Sequence, residues 1–245
     1  MVRMTPDDAD GRYARLAAAV EDAIPDALRR EWAQRALAEP VLVARQGIFS
    51  HTGTAFAYQL SFRSPGEQAP SATSWTETQH DNATAHVLDA TFGRADLESV
   101  AHGRLLFVRC TRPFLVGDLR VPARPDRLVI EVPHWVDVDR EVVAGVRRLR
   151  DAGFRIAVPS FVSTAHQRML LPHADFVKID VRDLDVEGDP VVSLARSYGA
   201  TLVAEFVETP ELRQHALELG FRLFQGNLLE RAGILDRAGA RPVTG

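Results

Sequence analysis

Cysteine is almost absent from this 245-residue chain, with Cys110 standing alone. One thiol excludes an internal disulfide framework and a multi-cysteine zinc cluster. Within LLFVRC (105–110) it reads as a small buried hydrophobe. No run of 18 apolar residues occurs, so no membrane span is expected. The first ten residues are polar and acidic with no apolar run behind them, which gives no signal-peptide pattern and leaves the cytoplasm as the expected location. Neither charge sign dominates: 29 Lys and Arg against 33 Asp and Glu give a net charge of -4. That balance argues against a nucleic-acid polymer or an acidic membrane surface as partner. No GxGxxG or Walker sequence follows any strand-like run, which weakens a doubly wound nucleotide fold. The eight histidines are dispersed, with none paired at ligand spacing, and Ser160 has no His–Asp arrangement around it.

What the chain does have is alternation. Hydrophobic residues make up 46%, enough for a sizeable core, and the length suits an α/β barrel of about 250 residues. Strand-like runs fall at 41–46, 56–62, 104–110, 127–132, 154–158, 176–180, 201–206 and 222–225. Helical patterns fall at 80–92, 138–151, 188–198 and 210–219. Eight strands with intervening helices predict an α/β fold, a modified (β/α)8 TIM-like barrel. The first two strands are joined only by Ser50-His51-Thr52-Gly53, which predicts a hairpin and therefore an antiparallel first strand. Residues 1–40 read as an N-terminal helical extension, amphipathic over 11–38. Residues 41–231 read as the barrel, Ser64–Glu77 as a loop within it, and 232–245 as a tail that begins with a short helix.

Polar residues close several apolar strands. Glu131 ends RLVIE, Glu205 ends TLVAE, Gln225 ends RLFQ, and Lys178 and Asp180 share one face of FVKID. Five polar groups from four strands therefore converge at one end, the end at which barrels of this type carry their function.

The segments ARQGIF (44–49), AYQLSFR (57–63), GFRIAVPSF (153–161), ADFVKID (174–180), LVAEFVET (202–209) and LGFRLFQGNLL (219–229) resemble the EAL domain of cyclic di-GMP phosphodiesterases. The likeness is strongest to the divergent branch that accompanies HDOD domains, and the last two segments are similar to the family's AEGVET and FQGY patterns. The resemblance implies a modified barrel whose first strand is antiparallel. It also implies an ancestral hydrolysis of cyclic di-GMP by two Mg²⁺ or Mn²⁺ ions held by carboxylates and an Asn, with a Lys near the attacking water.

Carried over residue by residue, Lys178, Asp180, Glu131, Glu205 and Gln225 are kept, as is Arg63 beside the ligand's phosphate. Arg63, Glu205 and Gln225 are thus the ligand-binding candidates. The signature Glu falls on Gln59, the ligand Asn on Arg109, a Glu on His134, and the Asp–Asp pair on Pro159 and Ser160. Mg²⁺ wants about six oxygens with anionic charge among them, and two ions about 3.5–4 Å apart need bridging carboxylates. The expectation is therefore a vestigial site with no metal, no cofactor and no catalysis. Arg109 is expected to stand in as a fixed cation paired with Glu131 or Asp180, and His134 to pack on Trp135. The function expected is a signalling module acting on a protein partner. The alternatives are a non-hydrolysing cyclic di-GMP receptor and a residual enzyme using Mg²⁺ or Mn²⁺ at Glu131, Asp180 and Glu205. A homodimer built on the amphipathic extension is a further option.

Overall fold

Two strand-forming runs separated by a polar turn find each other first. β1 (Leu42–Ser50) and β2 (Ala55–Arg63) pair antiparallel, from Leu42 opposite Arg63 to Ile48 opposite Ala57. The Thr54 carbonyl accepts from the Ser50 N–H, and Gly53 sits at φ +81, where glycine alone is unstrained. This computed structural model describes residues 42–63, 76–94, 97–182 and 184–235. The expected N-terminal extension and nearly all of the expected loop Ser64–Glu77 lie outside the described residues. Glu77 itself is helical.

The next six strands are parallel. They are β3 (Leu105–Arg109), β4 (Leu128–Glu131), β5 (Arg155–Val158), β6 (Phe176–Asp180), β7 (Thr201–Glu205) and β8 (Leu223–Phe224). β2 joins β3 in parallel, and β8 closes the ring antiparallel to β1 through Phe49 opposite Phe224. The barrel and its antiparallel first strand are as expected.

Period-two alternation divides the strand residues between two cores. Ile48, Ala57, Phe107, Val129, Ala157, Phe176, Val203 and Leu223, one from each strand of the ring, form a buried apolar layer inside it. The alternate residues, such as Val108, Ile130, Ile156, Ile179 and Leu202, belong to the larger core with the helices.

The helices follow from caps and stripes. α1 (Glu77–Leu88) opens on a Thr76/Gln79 capping box and passes at Asp89–Arg94 into a wider π-helical turn, where a continuous helix to residue 92 is expected from sequence. The short α2 (Leu97–Ala101) and α3 (Arg112–Val116) flank β3. α4 (Arg140–Asp151) is capped by Asp139 and buries Val142, Val146 and Leu149; its Gly145 lets the Leu115 carbonyl approach where a Cβ would collide. α5 (Ala165–Leu170) starts on a Thr164/Gln167 capping box. α6 (Leu184–Ser197) breaks at Gly188, and α7 (Pro210–Glu218) is capped by Thr209.

The tail corrects the sequence expectation. Where a short helix is expected after Arg231, Gly233–Leu235 forms β9, antiparallel to Val43–Arg45 of β1. β1 pairs with β8 only through Phe49 and Ser50, so its other half offers an open edge, and β9 covers part of it. The sheet therefore extends past the expected barrel boundary at 231.

Candidate functional site

Two residues beyond the inner apolar layer, the same alternation sets a polar layer. Ala57 leads to Gln59, Phe107 to Arg109, Val129 to Glu131, Ala157 to Pro159, Phe176 to Lys178, Val203 to Glu205 and Leu223 to Gln225. On β1, which runs the other way, the equivalent step from Ile48 is back to Gln46, directly opposite Gln59. A ring of polar side chains therefore sits on an apolar floor.

Lys178 is the centre of that ring. Its side chain is 1% exposed, and its ammonium donates to Gln59 Oε1 at 2.8 Å and Glu131 Oε1 at 2.9 Å and lies 3.0 Å from Glu205 Oε1. All three of its donors are thus met. Burial works against its charge, but the Glu131 and Glu205 carboxylates and the Glu131 hydrogen bond outweigh this, and hold Lys178 above the ordinary lysine range. Glu131 is fully buried, and its Oε2 accepts from Gln59 Nε2 at 2.8 Å. Glu205 Oε2 accepts from the backbone N–H of Ser160 at 2.9 Å. Ser160 is held for this in a left-handed conformation, φ +47, by Gln167, whose Nε2 donates to its carbonyl.

Two expectations are corrected here. Arg109 pairs with Glu131 as expected, but only at the outer limit of an ion pair and not as the central cation: its side chain is 43% exposed, its Nε is 3.9 Å from Glu131 Oε2, and it lies over the Trp135 ring. Lys178, from the interior of β6, holds the carboxylates at 2.9 and 3.0 Å instead. Asp180 does not join the cluster, because its two oxygens are bound by the Arg182 guanidinium at 3.0 and 2.7 Å and one also accepts the Arg182 N–H. Where the related pattern has two side-chain carboxylates, Pro159 offers no ligand side chain and Ser160 meets Glu205 through its backbone N–H.

Other expectations hold. His134 packs edge-on to Trp135 at 5.0 Å, and partial burial, then Arg109, push its imidazole below the usual histidine range. Cys110 is fully buried, and burial pushes its thiol far up. Arg63 ends β2, but its side chain lies outside the described residues.

Above the ring opens a cleft of about 470 Å³, lined by Gln59, Lys178, Glu205 and Gln225 and at its rim by Arg109, Trp135, His80 and Phe206. His80 and Trp135 stack at 4.6 Å. Gln225 Nε2 donates to Gln46 Oε1 at 2.9 Å, and Gln46 Nε2 donates to the Glu230 carbonyl. That chain fixes both amides, so the buried Gln225 Oε1 is the atom left without a partner.

Sequence reasoning missed Gln46, Arg182 and Phe206. Phe206 is half exposed at φ +57, an unusual conformation for a bulky residue, with the Arg182 guanidinium 4.0 Å over its ring. The signal for it was legible, since Phe206 stands where the AEGVET pattern has glycine.

Two divalent ions are what the resemblance implies, and these residues do not fit one as they stand. Each oxygen of Glu131, Glu205 and Asp180 already faces an internal donor. Among the described residues, no three His, Cys, Asp or Glu side chains gather as a ligand set.

Residues 112–232 match the EAL domain family. The uncharacterised protein YuxH of Bacillus subtilis is 27% identical over 202 residues, covering 80% of this chain and 48% of that protein. The cyclic di-GMP phosphodiesterase CdgJ of Vibrio cholerae is 26% identical over 208 residues, covering 82% and 46% respectively. The chain spans about half the length of these curated relatives. Among solved structures, the YkuI protein of Bacillus subtilis, with an EAL domain in complex with c-di-GMP and calcium, superposes with a TM-score of 0.60 at 23% identity. That match covers 78% of this chain and 54% of that one. Residues 112–232 thus carry a match to the EAL domain family, and the barrel shares its fold with that solved EAL structure.

Proposed function

We propose that this barrel is an EAL-type signalling module that does not hydrolyse cyclic di-GMP and acts by binding a partner protein. The observation that carries the reading is the engagement of every retained carboxylate by an internal donor, Lys178 above all. Hydrolysis by two metals needs carboxylates free to bridge the ions and a metal-bound water as nucleophile. In this chain Gln59 offers a neutral amide, Arg109 a permanent cation, and Pro159 no ligand side chain. No metal or other cofactor belongs to this reading. The likeness to the branch found with HDOD domains supports a role in recruiting other proteins.

A second reading, a non-hydrolysing cyclic di-GMP receptor, is favoured by one feature. The cleft keeps an unpaired buried acceptor, Gln225 Oε1, beneath a rim that carries Arg109 and the His80–Trp135 stack. Calorimetric titration with cyclic di-GMP, with and without Mg²⁺ or Mn²⁺, separates the readings when the same samples are assayed for linear dinucleotide. Neither heat nor product supports the partner-binding module. Micromolar binding without product makes the domain a receptor. Metal-dependent product overturns both.

A further inference from the structure

The loops that follow β7 and β8 are locked to each other. The Val207 N–H donates to the Gln225 carbonyl, and the Leu228 N–H donates to the Val207 carbonyl. Gln225, at the base of this pair of loops, is 7% exposed, and its buried Oε1 has no hydrogen-bond partner. A buried acceptor left unmet is costly unless a ligand supplies the donor. Glu208 is exposed, lines the same cleft and has no ion pair among the described residues. Phe206 and Leu228, large and apolar, are exposed on the same two loops. Charge then sets the kind of ligand. Lys178 and Arg109 balance Glu131 and Glu205 in and beneath the cleft, and Arg182 balances Asp180 beside it, which leaves Glu208 uncompensated. The open positions are an acceptor and a negative charge with apolar surface next to them, and they suit a cationic donor on an apolar stem. A cyclic dinucleotide also offers donors, but its phosphodiester charges would meet the uncompensated carboxylate.

We infer that the cleft is the docking point for a basic side chain, arginine or lysine, of the partner polypeptide, with Gln225 Oε1 and Glu208 as its acceptors and Phe206 and Leu228 as the apolar contact around it. The inference rests on the partner-binding reading given above and names the partner's chemistry. A free small cation would use the two acceptors alone. The exposed Phe206 and Leu228 argue for a polypeptide, because protein interfaces concentrate their affinity in an anchor residue ringed by contacts that exclude water. The cleft of about 470 Å³ has room for one such side chain.

The test pans a phage-displayed library of random peptides on the full chain. Enriched peptides are synthesised and titrated by fluorescence anisotropy against wild type, Glu208→Lys, Gln225→Met and Asp118→Lys. Asp118 is an exposed acid in the connection that leads into β4, at the other end of the barrel, and serves as control. The enriched peptides are expected to share an Arg or Lys beside an apolar residue, and to lose binding when that basic residue becomes Gln. Affinity should fall about tenfold or more in Glu208→Lys and in Gln225→Met, stay unchanged in Asp118→Lys, and weaken with added salt.

Thermal unfolding checks that each variant is folded, and Glu208→Lys, a change on the surface, decides the matter if Gln225→Met is not. Enriched peptides without a shared basic residue, or peptides that bind Glu208→Lys as tightly as wild type, overturn the inference and leave the partner-binding reading standing. A selection that enriches nothing on wild type beyond what Glu208→Lys also retains overturns it too. Metal-dependent turnover of cyclic di-GMP by wild type would sink the functional reading on its own, whichever peptides are selected.

Discussion

Glu131→Gln is the most discriminating single change in the buried cluster. It preserves shape and one acceptor while removing one charge from a side chain with no exposure. In the variant, an NH₂ group must replace either the oxygen 2.9 Å from the Lys178 ammonium or the one 2.8 Å from Gln59 Nε2. Either choice brings donor against donor. Rotating the Gln59 amide relieves the second clash but withdraws the oxygen that Lys178 donates to at 2.8 Å. Every arrangement therefore leaves a buried donor unmet, in addition to the lost ion pair.

Breaking a buried pair from one side costs about 3–5 kcal/mol. Glu205 continues to partner Lys178, so the low end applies, about 3 kcal/mol. At about 2–4 °C per kcal/mol for a chain of this size, Tm falls by about 6–12 °C. Arg109→Ala is the control. With a side chain 43% exposed and 3.9 Å from Glu131, its pairing is screened, and its loss costs less than about 1 kcal/mol. Urea denaturation followed by circular dichroism measures both, with an unchanged m-value as the check that only stability moved. A Glu131→Gln protein within about 1 kcal/mol of wild type would refute the reasoning, because that is the range of a solvated pair. An Arg109→Ala protein destabilised as much as Glu131→Gln would make Arg109 the counter-ion after all.

Two further outcomes follow from the same geometry. The Lys178 pKa is raised on folding, so its contribution to stability is complete below the ordinary lysine value of 10.5 and is lost as pH rises through the higher folded value. The Tm of wild type should therefore fall with alkaline pH in a step that Lys178→Met lacks, and identical alkaline profiles would count against the buried ammonium. Gly226→Ala would drive a Cβ into the backbone of Val207, which cannot move because its N–H donates to the Gln225 carbonyl and its own carbonyl accepts from the Leu228 N–H. Loss of more than about 3 kcal/mol, or insoluble expression, is expected, and a stable, soluble variant would show that the 225–226 turn is not rigid.

Much of the fold was legible because facing is a local property. A strand alternates every two residues whatever lies across from it, so the apolar layer of Ile48, Ala57, Phe107 and their equivalents, and the polar layer two residues on, are written in the sequence itself. The short Ser-His-Thr-Gly turn likewise dictates the hairpin, because too few residues are present for a crossover. The strand β9 was not legible. Gly233–Leu235 has no period of its own, and its strand form depends on the open edge of β1 far away in sequence.

The pairing of charges was decided by tertiary structure alone. The sequence placed Lys178, Arg109, Glu131, Asp180 and Glu205 at one end of a barrel, but not which cation meets which carboxylate. Lys178 lies 119 residues from Gln59 and 47 from Glu131, and only ring closure brings β6 across from β2 and β4. Position and head-group shape then select among the candidates: the compact lysine ammonium occupies the buried centre, the Arg109 guanidinium is left at the rim over Trp135, and Arg182 claims Asp180. The sequence fixes which side chains face the interior of a barrel, because that follows from the backbone. Which of them touch there depends on distances across the ring, and those exist only once it has closed.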